Sequence, residues 1–460
     1  LPAGAMADIV DRRLMLITAQ SLGLLAAAAL AVFTWQGWTT PVVLLGMTLA
    51  LGGAAALSAP VFQAIVPELV DRRTLPDAIA LNSLGVNISR AVGPALGGMV
   101  VALAGSSAVF AINALSVLAV LVVLVTWKRE PVPSALPAEH FVGALKSGYR
   151  YARRSPALRL VLIRAVGFFL FGSAVWAMLP LVARQSLGLD ASGYGALLGC
   201  MGAGAVVAAL VLKRLRRWVP ANVLSIGATL LFAAAGLALA VTENPWMAGA
   251  VMAVSGLAWI GMVTSLNVAA QLASPGWVKA RALALYLVAF QGAMTGGSIL
   301  WGAVAARTDV ATALAIAAAG QVLALGLALV WRLPADDDVD LTPSHHWAEP
   351  VLAAPAETDR GPVMIEIEYR VAPERAADFL AALRRFKAVR QRDGAIGWNV
   401  WQDVAEPDLI VETFVVESWL EHLRQHERVT QADGAEQAVL NAFHIGPAPP
   451  RVRHLLAPGR

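Results

Sequence analysis

The sequence predicts an all-α polytopic membrane protein that carries a small α+β, ferredoxin-like domain at its C-terminal end. Three observations lead there. Of its 460 residues, 58% are hydrophobic and 14% charged, where a soluble protein carries about a quarter charged. The apolar residues fall into runs long enough to cross a bilayer, with basic residues gathered at their ends. After Arg332 the chain turns polar and proline-rich, and from Val363 a period-two alternation begins.

Windows of about 20 residues give spans at 14–34, 42–66, 79–103, 108–127, 160–183, 193–212, 222–241, 246–271, 282–305 and 310–331. Alternate loops carry Arg12 and Arg13, Arg72 and Arg73, Lys128 through Arg159, Lys213 through Arg217, Lys279 and Arg281, and Arg332; the others are short and nearly bare. The positive-inside rule assigns the basic set, and with it the N-terminal end and the C-terminal domain, to the cytoplasm. A multi-pass protein of the cell (inner or plasma) membrane is expected, with the lipid bilayer as its first partner. The net charge of +4 does not call for nucleic acid, because the basic residues sit where topology needs them. Cys200 is the single cysteine, which excludes an internal disulfide and a cysteine-based metal centre.

The chain repeats itself at an offset of about 204 residues. Arg12-Arg13 falls on Arg216-Arg217, Pro41 on Pro245, Asn87 on Gln291, Gly93 and Gly98 on Gly297 and Gly302, and Trp127 on Trp331. Two halves repeated in the same direction are a transporter design. The charge is not repeated: Arg90 becomes Met294, Pro94 becomes Ser298 and Asp8 becomes Leu212. Spans 160–181 and 193–212 have no counterpart in the first half, so an N-terminally incomplete chain is expected.

The stretch Asn87 to Gly98 is the most informative of the spans. Gly93, Pro94, Gly97 and Gly98 leave one helix face almost without side chains, in small-xxx-small spacing that admits a neighbouring helix. Arg90 lies near mid-membrane, where a charge costs roughly 3 kcal/mol or more unless it meets a partner or a wet cavity. Helix packing and a structural ion pair are the plain readings; the sharper one places Arg90 on a central pathway. The spans hold no Asp or Glu away from their ends. With Asn87, Asn113 and Gln291 as further pathway groups, and Asn82, Asn267 and Gln271 beside them, the composition suits a small anionic or hydrogen-bonding neutral cargo. Arg164 and Arg184 lie nearer the ends of their span and are expected to snorkel. A proton could serve as coupling ion, although no intramembrane carboxylate is at hand to relay it.

Five segments follow: a transporter half at 1–128, a central loop at 129–158 holding a short interfacial helix or a solvated stretch, a second half at 159–332, a linker at 333–362 too polar and proline-rich to pack, and the domain at 363–460. In the last, Val363 to Arg370 reads as a half-buried strand and Pro373 to Arg390 as a helix. Trp398 to Trp401 and Leu409 to Val415 read as strands, Trp419 to Val429 and Ala435 to Phe443 as helices, and Val452 to Leu456 as a closing strand. The order is that of a ferredoxin-like unit. His422 and His426, one helical turn apart, could hold a metal, but the sequence shows no third ligand and solvated helix residues are the preferred reading. Asn399, Trp401 and Trp419, with Trp398, could line a small cavity with the two histidines; core aromatics are the preferred reading. No cofactor is expected.

The Gly4…Asp8…Arg12-Arg13 loop resembles the loop signature of the major facilitator superfamily, and Gly93-Pro94…Gly97-Gly98 resembles the exporter-associated motif of its fifth helix. Over residues 1 to about 332 the chain is similar to the branch that includes enterobactin efflux proteins, of the transmembrane secretion effector type. Glu417-Ser-Trp419-x-Glu-His422-x-x-x-His426 resembles the antibiotic biosynthesis monooxygenase-like fold. The resemblance implies the major facilitator fold with ten of twelve helices present, working by alternating access in export of a siderophore or drug-like molecule. It implies a gate latch at Asp8, Arg12 and Arg13, and a tail able to dimerise. A transporter rather than an enzyme is expected; the alternative is a monooxygenase-like or regulatory tail on a transporter remnant.

Overall fold

The computed structural model describes residues 11–69, 75–127, 141–215, 218–330, 332–333, 340–344, 346–347 and 360–458; within some helices the backbone alone is described. Asp8 and His345 lie outside the described residues. Apolar runs with no water to bond must close their backbone hydrogen bonds within themselves, and they do so as helices. In order these are α1 (Arg12–Trp35), α2 (Pro41–Leu69), α3 (Leu75–Thr126), α4 (Phe141–Arg154), α5 (Pro156–Leu181), α6 (Ala191–Leu215), α7 (Ala221–Val241), α8 (Pro245–Leu272), α9 (Lys279–Arg307) and α10 (Val310–Val330). Among the described residues eight helices are long and apolar enough to cross a membrane, and a shorter apolar helix covers Val310–Gly326. The span expected at 79–103 is helical, within α3, and most of its side chains lie outside the description.

The repeat is visible in the elements themselves. Pro41 and Pro245, Leu75 and Lys279, and Thr126 and Val330 bound equivalent helices, each pair 204 residues apart. Where the second copy breaks between Arg307 and Val310, the first breaks too: α3 is two helices that meet at Gly105, whose φ of 79° only glycine adopts without strain. Helix α1 packs on α3 as α7 packs on α10. Each pairing is tied at the main chain. Arg13 donates from Nε to the Leu124 carbonyl at 2.8 Å and from Nη2 to that of Val125 at 2.5 Å. The Leu333 N–H donates to Asn222 Oδ1 at 3.4 Å. Arg13 thus occupies the last carbonyls of α3, groups a helix leaves without intrahelical partners.

Glycines decide where helices touch. A Cβ on Gly204 would lie 1.8 Å from the Ala253 carbonyl oxygen, and one on Gly256 the same distance from that of Met201, so α6 and α8 cross backbone to backbone. A Cβ on Gly297 of α9 would likewise clash with the Leu170 carbonyl oxygen and Ser173 Oγ of α5. Its repeat mate Gly93 is exposed, and a Cβ on Gly93 or Gly97 would meet nothing within 4 Å among the described residues. Among the described residues the close approach is seen at Gly297. Helix α5, which supplies the neighbour, has no repeat mate within these 460 residues.

The chain divides into two compact units, one of Leu1–Ala144, Leu160–Ala269 and Leu283–Leu333, the other of Leu145–Arg159, Ala270–Ala282 and Pro334–Arg460. The second holds an antiparallel sheet of order β2-β3-β1-β4, from β1 (Val363–Arg370), β2 (Gly397–Gln402), β3 (Leu409–Val416) and β4 (Arg451–Leu456). Helices α11 (Ala376–Asp393), α12 (Trp419–Arg428) and α13 (Gln431–Asn441) complete it. Val363, Ile365, Ile367 and Tyr369 alternate inward from β1 against Phe379, Leu383 and Phe386 of α11 and Trp419 of α12. Part of the linker packs, contrary to expectation. Pro343 bridges Thr430, and the Ser344 N–H donates to the Val429 carbonyl at 3.0 Å, because an extended segment can satisfy its backbone on an edge of the domain despite its prolines.

Replacing Gly256 by Val should force α6 and α8 apart and lower the thermal midpoint of the purified protein by an amount matching about 1–3 kcal/mol of overpacking. Gly292→Ala, where a Cβ meets nothing within 4 Å, should leave the midpoint unchanged or raise it.

Candidate functional site

In the first unit the side chain that departs most from expectation is Arg164. Only 5% exposed, it is covered by protein rather than open at the surface. Its Nη1 donates to Asn222 Oδ1 at 2.5 Å and its Nη2 to Ser225 Oγ at 2.6 Å. The correction has a geometric cause: α5 turns Arg164 toward the start of α7, where Asn222 and Ser225 lie one turn apart at the same depth. Its hydrogen-bond partners among the described residues are uncharged, so a full positive charge stands in an apolar span with dipoles alone to offset its desolvation. Arg164, Phe168, Thr229, Met262, Ala324 and Leu325 line a small cavity. Phe168 opens onto an aromatic block, with its ring 5.3 Å from Phe169, 5.6 Å from Phe232 and 5.8 Å from Trp259. Phe290 stacks edge-on against Phe169 at 4.3 Å.

Of the pathway residues expected from the sequence, Asn113 and Gln291 are described. Asn113 and Gln291 are exposed on α3 and α9 and do not line this cavity. The side chains of Asn87, Arg90, Pro94, Gly98 and Arg12 lie outside the described ones. Arg13 is placed as the tie to α3 given above, and Arg184 is exposed beyond the end of α5.

In the tail the expected cavity set separates. Asn399 and Trp401 alternate onto the outer sheet face, where Trp401 is exposed and donates from Nε1 to Thr413 Oγ1 at 2.9 Å. Trp419 and His422 are buried on the inner, helix-covered side, and His426 is half-buried beside them. The inner side also receives His454 from β4, in register opposite Ile365. One ring nitrogen from each of His422, His426 and His454 lies within 4.8 Å of the others. Burial, reinforced by the mutual repulsion of the cluster's charged forms, pushes His422 down to about 3. Burial does the same to His426, down to about 4, and lowers His454. All three are neutral bases at pH 7. Nearby, Arg390 is fully buried and doubly hydrogen-bonded to Glu412 at 3.2 and 3.3 Å, and Trp398 Nε1 donates to the same carboxylate at 2.9 Å.

The second unit also joins the tail to segments far away in sequence. Arg150 of α4 and Arg428 of α12 both reach Glu421 Oε1, at 3.0 and 2.6 Å. Burial raises the Glu421 carboxyl, but the charges and hydrogen bonds of Arg428 and Arg150 outweigh it and hold the group below the usual carboxylate range. The Arg428 guanidinium lies 4.7 Å from the Trp277 ring centroid, in the loop between α8 and α9. Tyr151 meets Trp277 edge-on at 5.7 Å and donates its hydroxyl to the Ala273 carbonyl at 2.7 Å. No periodicity in the sequence signals this joint.

The bundle is that of a membrane transporter of the major facilitator type. A crystal structure of a POT family transporter in complex with 5-aminolevulinic acid superposes with a TM-score of 0.55 at 11% identity, covering 72% of this chain and 85% of its own. The nucleoside transporter NupG does so with a TM-score of 0.53 at 17% identity, covering 71% and 86%. At such identities the likeness speaks for the fold alone. The family is narrower: the chain belongs to the transmembrane secretion effectors, which it matches over residues 1–460. It is 27% identical over 225 residues to a staphyloferrin A transporter of Staphylococcus aureus, covering 47% of this chain and 55% of that one. It is 28% identical over 216 residues to the enterobactin exporter EntS of Salmonella typhimurium, covering 47% and 51%. The chain thus spans about half the length of the curated relatives it matches. With that family go the helices long and apolar enough to cross a membrane, so the chain is a multi-pass membrane protein.

Removing the Glu412 carboxylate by Glu412→Ala strands Arg390 in the tail core. The tail should lose about 3–5 kcal/mol, read as a lower urea concentration for its proteolysis in the intact protein. The double change Arg390→Met with Glu412→Leu should recover most of that loss.

Proposed function

We propose that this protein exports a small anionic organic molecule of the siderophore class by alternating access, from a cytoplasmic side that carries the basic loops and the tail. One observation carries the reading: Arg164, buried with uncharged partners, stands beside an aromatic block at a cavity no larger than a water molecule in this conformation. A cation already desolvated and held by two hydrogen bonds attracts an anionic group strongly, and the Phe168 ring beside it is apolar surface for the rest of the same molecule. The relatives named as staphyloferrin A and enterobactin transporters point to the same chemistry. Arg90 enters this proposal as a second pathway cation, contributed by the first half, with Asn87, Asn113 and Gln291 as flanking hydrogen-bonding groups.

The tail, we propose, is a ferredoxin-like regulatory module rather than an oxygenase. The strand order β2-β3-β1-β4 supports the fold reading. The regulatory reading rests on the Arg150–Glu421–Arg428 joint, which ties the tail to α4 and to the loop between α8 and α9.

Uptake of a catecholate anion into inside-out vesicles tests the first reading. Arg164→Gln should lower uptake into the vesicles by a factor of about 10 to 100, the worth of one charge-assisted contact of about 1.5–3 kcal/mol, while Arg164→Lys retains part of the rate. Equal transport by wild type and Arg164→Gln at matched abundance would dismiss Arg164 as a substrate contact. For the tail, Arg150→Ala should change basal transport about 5-fold, the lower end of ordinary coupling energies. An unchanged rate would leave the joint purely structural.

A further inference from the structure

Three histidines converge on the inner side of the tail sheet from two elements. His422 and His426 stand one turn apart on α12, with their Nε2 atoms 3.2 Å from each other. Two nitrogens bound to one tetrahedral ion at 2.0–2.1 Å would be about 3.4 Å apart, so the helix already sets them at ligand spacing. His454 comes from β4, its ring centroid 4.7 Å from that of His422, and one nitrogen of each histidine falls within 4.8 Å of the others. His422 is 1% exposed while His426 and His454 are half-buried, which leaves a way in for a small ion.

The surroundings fit a ligand set better than a packed core. Gln425 Oε1 lies 3.4 Å from His422 Nδ1, the ring nitrogen away from the cluster, and can take its proton so that Nε2 points inward as a lone pair. Gln425 Nε2 itself is buried without a hydrogen-bond partner. Trp419 and Trp347 wall the cluster, 5.4 Å from His422 and 5.1 Å from His426. The nearest buried cation, Arg390, is compensated by Glu412 at 3.2 Å. Three imidazoles held as neutral bases in a dry pocket are a borderline-soft donor set.

We propose that His422, His426 and His454 bind one divalent transition-metal ion of the zinc type, leaving a fourth coordination position open to water or a small anion. The ion would pin α12 to β4. Since Glu421, next to His422, holds Arg150 of α4, loading would also stiffen the joint between the tail and the loops.

The test uses the full chain without a polyhistidine tag, purified in detergent and stripped with a chelator. Competition against a chromophoric zinc indicator should give one ion per chain, and Co2+ should give the visible d–d absorption of a four-coordinate site. His454→Ala should weaken Zn2+ at least 100-fold and Gln425→Ala about 10-fold, whereas His444→Ala, outside the cluster, should change nothing. Should His454→Ala fail to fold, the wild type alone decides: Zn2+ should raise its thermal midpoint and protect the three histidines from diethyl pyrocarbonate. No stoichiometric binding, an octahedral Co2+ spectrum, or equal affinity in His454→Ala and wild type would overturn the site.

Discussion

A buried cation near the ends of α5, α7 and α10 constrains the second half of this bundle. Desolvating a guanidinium costs more than any single packing contact returns, so the helices around Arg164 have to supply dipoles at its own depth. Asn222 and Ser225 do so from α7. The same Asn222 oxygen accepts from the Leu333 N–H just beyond α10. The charge is thereby linked to the packing of α5, α7 and α10 together. Glycines then set how closely other helices come, with α6 and α8 in backbone contact at Gly204 and Gly256. The result is a half in which, among the described residues, the buried guanidinium is bonded to dipoles rather than to a neighbouring carboxylate.

The tail follows a different economy of charge. Its buried ions are paired: Arg390 with Glu412, Arg392 with Asp393 and Asp433, and Glu421 with Arg428 and Arg150. Water is within reach of this domain, and it tolerates buried ions because each finds two or more hydrogen bonds. The cluster that lacks any ionic partner is the histidine set, and burial keeps it uncharged. A domain so careful to compensate its guanidiniums yet content to gather three bare bases is organised around something other than internal ion pairing at that point.

Much of the fold was legible from residue order alone. Apolar runs with basic ends marked the helices, the 204-residue offset marked their duplication, and period-two alternation found β1 and β3. The site was less legible, for definable reasons. Hydropathy reports how deep Arg164 lies but not which way α5 turns it, so snorkelling and burial read alike. A polar pair at the start of the facing α7, Asn222 and Ser225, was the available hint. His454 lies 28 residues beyond His426 and joins it only through the register of β4 on β1. Asn399 and Trp401 carry the residue types of a cavity, and the pleat sends them to the other face.

The two ties that close each half have a consequence for how the protein can change over time. Arg13 grips carbonyl oxygens of the main chain at Leu124 and Val125, and Asn222 takes a main-chain N–H at Leu333. Such a grip is indifferent to the side chain at the far end. The gripped positions are free to drift toward any residue that keeps the helix, and no compensating change at Arg13 or Asn222 is called for. Correlated substitution, the usual trace of contact in a family, would be silent at these two joints, although they fasten the ends of the helices they connect.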